Sequence, residues 1–245
     1  MMVDVWTVMR KEWKEILFLR GSLRGGAIGL LIMLGVFGIV LPLQTGRAWV
    51  ESPMVLVYWV WVPLFLVSGV IADSFAGERE RHTLEALLST RLSDRSILFG
   101  KIGAAVGYAW GVTLVCLLLG LATVNLAYGR GEWLVYPAEV GWGILGLSLL
   151  GATLVANAGV LISLRASSVR QAQQTLSIAI MLLLFVPIFG SQALPAGWRR
   201  RIAEALMMAD VTQAVLIAVA VLVVLDFGLL IAAMARFKRA RLILS

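Results

Sequence analysis

Six apolar runs separated by short polar stretches constrain this chain more than any other feature. They cover about residues 26–43, 54–72, 102–127, 140–164, 175–189 and 211–235. A helix needs roughly 20 apolar residues to cross a hydrocarbon core about 30 Å thick. The fold class expected is therefore an all-α membrane protein with six transmembrane helices, the fifth run being short for a full crossing. Composition agrees: 60% of residues are hydrophobic and 14% charged, where a soluble domain carries about a quarter charged. The longest gap between runs is about 30 residues, too short to bury a core of its own. Residues 1–245 are thus expected to form one transmembrane domain. Pro63, near the middle of the second run, removes a backbone donor and favours a kink.

The charged residues give the runs an orientation. Residues 3–20 read as an amphipathic helix, with Trp6, Met9, Trp13, Ile16 and Leu17 on one face and Asp4, Arg10, Lys11, Lys14 and Glu15 on the other. Tryptophan on the apolar side and Lys/Arg on the polar side suit a helix lying in the membrane interface. A charged amphipathic segment before the first run also argues against a cleaved signal peptide. Six crossings put both termini on one side, and that side collects sixteen of the 21 Lys and Arg residues. By the positive-inside rule it is the cytoplasmic face of the cell (inner) membrane. The net charge of +7 follows from that asymmetry, and no nucleic-acid partner is expected. Arg130, Glu132, Trp133, Tyr136 and Glu139 form an outer loop with aromatic anchors. Arg199, Arg200 and Arg201 also fall outside, in a stretch at 196–209 read as a short outer helical segment between spans five and six.

Enzymatic motifs are missing. The sequence has no G-x-x-x-x-G-K-[ST] loop to hold ATP and no H-E-x-x-H pair. One Cys and one His, Cys116 and His82, make no disulfide or metal site of the usual spacing. No catalytic residue and no cofactor is expected on this chain. Asp226 is the acid deepest inside a run, where a carboxylate must face protein or a watery cavity. It is read either as a cavity-lining group or as a carboxylate hydrogen-bonded to a neighbouring helix. Asn157 is read as packing glue between helices that also reaches that cavity. Gly103, Gly107 and Gly111 make a smooth face for another helix.

The densest polar island lies between the second and third runs. It reads Glu78-Arg79-Glu80-Arg81-His82-Thr83-Leu84-Glu85-Ala86-Leu87-Leu88-Ser89-Thr90, followed by Ser93, Ile97-Leu98 and Gly100-Lys101. Both signs of charge in one small patch suit directional pairing with a partner, and Leu84, Leu87 and Leu88 supply an apolar side. Ser93 is placed to cap the helix entering the third run.

This stretch resembles the signature of type-2 ABC transporter permeases, E-x-E-x-G-T-L-E-x-L-L-x-T-P followed by a polar residue, an aliphatic pair and a small residue before Lys. His82 stands where the family has Gly, and Arg91 where it has Pro. The resemblance implies a permease, acting as an exporter, that pairs with a second permease subunit and with a separate ABC ATPase carrying ATP and magnesium. It makes residues 78–101 a cytoplasmic coupling helix, with Glu78, Arg79, Glu80, Arg81, His82, Thr83, Leu84, Glu85, Leu87 and Leu88 docking on the ATPase. Secondary contacts fall to the N-terminal helix (Arg10, Lys11 and Lys14) and to the loop bearing Arg165 and Arg170. Membrane lipid is the remaining partner. A non-transporting scaffold subunit of a larger membrane assembly is the alternative reading.

Overall fold

The computed structural model describes residues 1–16, 23–83, 90–201 and 210–237, which are helical throughout their regular structure, with no strand among them. Among the described residues, five helices are long and apolar enough to cross a membrane: Ile28–Thr45, Val55–Glu80, Asp94–Tyr128, Ala138–Ser163 and Val211–Arg236. The place of the fifth apolar run is taken by a longer helix, Val169–Ala193, which is not among those five. The N-terminal helix is Met2–Lys14, continued in π-helical form at 15 and 16; residues 17–20 of the expected 3–20 lie outside the described residues. The expected outer segment starts as helix at residue 196, and residues 202–209 also lie outside them.

Two helices are not uniform. The first span runs through a π-helical segment, Val36–Val40. The second continues unbroken past Pro63, which is buried, and then widens into a π-helical segment, Asp73–Gly77, that buries Ser74, Phe75, Ala76 and Gly77. Such bulges inside helices concentrate at functional sites. The third helix begins at Asp94, ahead of the apolar run at 102, and Ser93 caps it as expected: the Ser96 amide donates to Ser93 Oγ at 3.1 Å. Its 35 residues exceed what a bilayer core requires, so its first turns project beyond the apolar layer.

The core forms where the second and fourth helices run side by side in the same direction. Gly143, Gly151 and Gly159 of the fourth face Leu56, Leu64 and Ile71 of the second in turn. A methyl group at Gly143 or Gly151 would sit 3.0 Å from the opposing leucine, and one at Gly159 would collide with Ile71. Small residues let membrane helices approach closely enough for dispersion to hold them. The glycines singled out in the third span have a different neighbour. Gly103 and Gly107 receive Met9 and Trp13 of the N-terminal helix, Gly100 receives Val8, and Gly111 has open space beside it.

Two ends follow from these contacts. At one end Arg47 pairs with Glu132 at 3.0 Å, Tyr128 donates to the Leu43 carbonyl, and Val215 lies against Gly143. Asn125 pins the loop there by exchanging two hydrogen bonds with the Leu134 backbone. Trp133 of that loop is exposed, as an anchor should be. Tyr136 is not an anchor: it turns inward, where burial pushes its phenol up. The Trp49 and Trp59 indole nitrogens converge on it, short of good hydrogen-bond geometry. The opposite end gathers the charged island, the N-terminal helix and the end of the last helix, where Phe237 packs edge-on against Phe75.

Gly159→Ala should therefore destabilise where Gly111→Ala does not. In detergent melts, Gly159→Ala is expected to lower the transition, overpacking costing about 1–3 kcal/mol. Gly111→Ala should raise it or leave it unchanged, since alanine is the better helix residue.

Candidate functional site

The charged end is built around one ammonium group. Lys101, 1% exposed, lies near the start of the third helix. It reaches Glu12 Oε1 at 2.8 Å, Glu78 Oε1 at 2.9 Å and the Ser74 carbonyl at 2.7 Å. The Phe75 ring covers it, 5.3 Å from Nζ to the centroid. Glu12 is buried as deeply and also accepts from Ser74 Oγ at 3.1 Å. Lys11 closes the group from the more exposed side, at 3.2 Å from Glu78 and 3.0 Å from Glu15. Burial works to raise the Glu12 carboxyl, but Lys101, by charge and hydrogen bond, and then Lys11 hold it below the usual carboxylate range. Three elements thus meet on one cation: the N-terminal helix, the π-helical end of the second span and the root of the third.

Sequence reading found Lys101 and Glu78 as members of a motif but passed over Glu12. Its signal was there. Glu12 stands four residues after Val8, beside the Met9–Trp13 stripe, so it shares the face that packs on the third helix. An acid on a packing face calls for a buried partner. Trp13 adds a directional contact, donating from its indole to the Ala104 carbonyl at 3.0 Å.

The island itself is a helix end tied on both sides. After Glu80 the chain turns with the Arg81 amide donating to Gly77, His82 to Arg79 and Thr83 to Glu78. The last two bonds, with His82 at φ 56°, make a Schellman-type C-cap. The residue at its centre must be left-handed, which explains why glycine suits this position. Arg79 turns away from solvent and donates to the Leu164 and Ala166 carbonyls at 2.8 and 3.1 Å, satisfying the end of the fourth helix. Glu80 accepts from the Val169 amide at 3.2 Å, at the start of the next helix. Arg81 pairs with Asp73 at 2.8 Å and remains over half exposed.

The predicted docking residues therefore divide. Glu78 is buried in the Lys101 cluster, and Arg79 and Glu80 hold the loop at 164–169. Arg81, His82 and Thr83 lead outward. Leu84, Glu85, Leu87 and Leu88 lie outside the described residues. Of the secondary set, Arg10, Lys14 and Arg170 are exposed, Lys11 belongs to the cluster, and Arg165 lines a cleft with Arg236.

Comparison with known proteins gives this geometry its context. Residues 48–216 match the family described as "ABC-2 family transporter protein". The chain belongs to this family. The match spans the charged island, the π-helical segment and the root of the third helix. Among individual relatives, the "ABC transporter permease protein NatB" of Bacillus subtilis (strain 168) is 33% identical over 146 residues. That region is 52% of this chain and 35% of NatB, so the chain spans about a third of that relative's length.

Asp226 and Asn157 meet inside this ABC-2 bundle, far from the charged end. Asn157 Nδ2 donates to Asp226 Oδ1 at 3.0 Å, and Thr153 Oγ1 donates to Oδ2 at 2.7 Å. The carboxyl is 9% exposed and joins the last helix to the fourth. This is the hydrogen-bonded arrangement, one of the two readings open from sequence. Asn157 Oδ1 is left without a partner.

Two substitutions separate the roles at the charged end. Lys101→Met leaves two carboxylates buried around a missing cation and should cost about 3–5 kcal/mol. Adding Glu12→Gln and Glu78→Gln should restore most of the loss in the same thermal assay. His82→Gly, in contrast, should stabilise by about 1 kcal/mol by removing a left-handed side-chain residue.

Proposed function

We propose that this chain is the membrane-spanning permease subunit of an ABC exporter, driven by ATP hydrolysis on a separate ATPase that binds ATP and magnesium. The observation that carries the proposal is the charged turn at 78–83 in an ABC-2 family protein. It is held rigidly from behind by Lys101 and from the side by Arg79, while Arg81, His82 and Thr83 face outward. A segment that receives force from a partner must not yield where it joins the membrane domain. Here it is bonded to four elements at once.

Six crossings fit the ends of the helices. The Val169–Ala193 helix starts at the charged end, where Glu80 caps it. The Val211–Arg236 helix finishes there, with Val215 at the far end beside Gly143. A 25-residue helix of roughly 37 Å is long enough to carry the chain from one end to the other. This geometry and the Lys/Arg bias support a reading in which both termini and the coupling segment lie on the cytoplasmic side of the cell membrane.

In this reading the ATPase groove takes Arg81, His82, Thr83, Leu84, Glu85, Leu87 and Leu88. Arg10, Lys14 and Arg170 flank the contact. Glu78, Arg79, Glu80 and Lys11 act from within as positioning residues. Closure of two ATPases pushes the turn. The Lys101 cluster passes the displacement to the third span and the N-terminal helix, and Arg79 and Glu80 pass it to the fourth and fifth. A second permease subunit completes the pathway along the apolar faces that the first and last spans leave uncovered, among them Leu31, Ile32, Leu216, Val224 and Phe227.

Glu85→Lys should abolish co-purification of a co-expressed ABC ATPase in mild detergent while leaving membrane insertion and the thermal transition of the permease unchanged. Undiminished co-purification would remove the docking assignment.

A further inference from the structure

Between the Val169–Ala193 and Val211–Arg236 helices lies a cleft of about 460 Å³. Both helices pack on the fourth helix and scarcely on each other, so the cleft opens sideways between them. Its floor is apolar, formed by Leu161, Ile162 and Ala232, and its rim carries Arg165, Arg236, Gln171 and Thr175. The two arginines come from opposite walls. Arg165 follows the end of the fourth helix, and Arg236 is the last residue of the last helix. Neither is paired with a carboxylate among the described residues.

The rim is positioned by its surroundings. The Arg79 guanidinium fixes the carbonyls on both sides of Arg165, those of Leu164 and Ala166. Gln171 turns its carbonyl toward the Ser167 amide and hydroxyl, each at 2.8 Å, which leaves its amide NH₂ pointing away from that turn. Guanidinium, amide and hydroxyl donors therefore rim a small cavity. Its depth is hydrocarbon-lined and its mouth sits where two membrane helices end.

We propose that this cleft binds the phosphodiester of an anionic lipid headgroup from the leaflet on the charged side. Guanidinium forks match phosphate oxygens, and basic pockets between membrane helices at the cytoplasmic face favour anionic headgroups. A free phosphate would satisfy the same donors but would leave the apolar floor unused. A lipid fills both, with its glycerol and upper acyl chain against Leu161, Ile162 and Ala232. Headgroup binding there ties the last helix, otherwise held chiefly by the fourth, to the loop that Arg79 links to the charged turn.

The test is native mass spectrometry of the full chain, delipidated in mild detergent and incubated with phosphatidylglycerol or with phosphatidylcholine of the same acyl chains. The expected result is preferential retention of phosphatidylglycerol. Arg165→Gln and Arg236→Gln should each weaken it roughly fivefold, whereas Arg47→Gln at the opposite end should have no effect. Arg165→Lys and Arg236→Lys keep the charge and should retain a preference even if a glutamine variant fails to fold. Equal retention of both lipids would overturn the proposal, as would displacement by millimolar inorganic phosphate with no lipid preference. So would glutamine variants that keep the lipid but lose a co-expressed ATPase, because the arginines would then serve a protein partner.

Discussion

A buried ammonium with two carboxylates is costly unless every charge is answered, and the charged end of this protein is arranged around answering one. Lys101 has Glu12 and Glu78 within 2.9 Å and a helix carbonyl at 2.7 Å. Desolvation makes such a cluster weak as a source of net stability but severe as a constraint, since removing any member strands another. Each of its three parent elements is therefore fixed relative to the other two. The N-terminal helix cannot lift without exposing the Lys101 site to an uncompensated charge. The second span cannot slide on the third without breaking the Glu78 contact.

The π-helical segment explains how the cluster is reached. A regular helix from Val55 to Glu80 would present its side chains at a constant rotation. The wider turns at 73–77 shift that rotation just before the island. Ser74 then serves the cluster twice, through its hydroxyl to Glu12 and its carbonyl to Lys101. Phe75 covers the ammonium and stacks edge-on with Phe237 from the last helix. One irregular turn thus brings four elements together around a residue that periodicity alone assigns to a polar loop boundary.

Much of the fold was legible because membrane solvation writes it in composition. Runs of apolar residues and the cap at Ser93 are local or additive signals, and among the described residues five long apolar helices overlap those runs. Helix pairing was not legible in the same way. The Gly103–Gly107 face did receive a helix, but the N-terminal one rather than another span. The contact between the second and fourth helices uses Gly143, Gly151 and Gly159, whose eight-residue spacing is longer than the four-residue spacing that draws attention. At the candidate site, the motif marked the island but not its division of labour. Sequence proximity groups Glu78 with Arg81, yet one is buried and the other points outward, and only the rotation of the helix decides which. His82 shows the reverse case. The pattern flagged it as a departure from glycine, and its positive φ supplies the physical reason for the pattern.

Asp226 and Lys101 are both ionisable groups taken from water, and their surroundings differ in kind. Asp226 accepts from neutral donors, Thr153 and Asn157, no cation faces it among the described residues, and its contacts come from helices that already pack together. Lys101 meets full opposite charges, from Glu12 on the N-terminal helix and Glu78 on the second span. A neutral clamp secures packing that the apolar faces already favour. An ionic cluster adds a penalty for separating its parts, because withdrawing one charge strands another. That difference, rather than burial, is what supports the proposed entry of force at the Lys101 end.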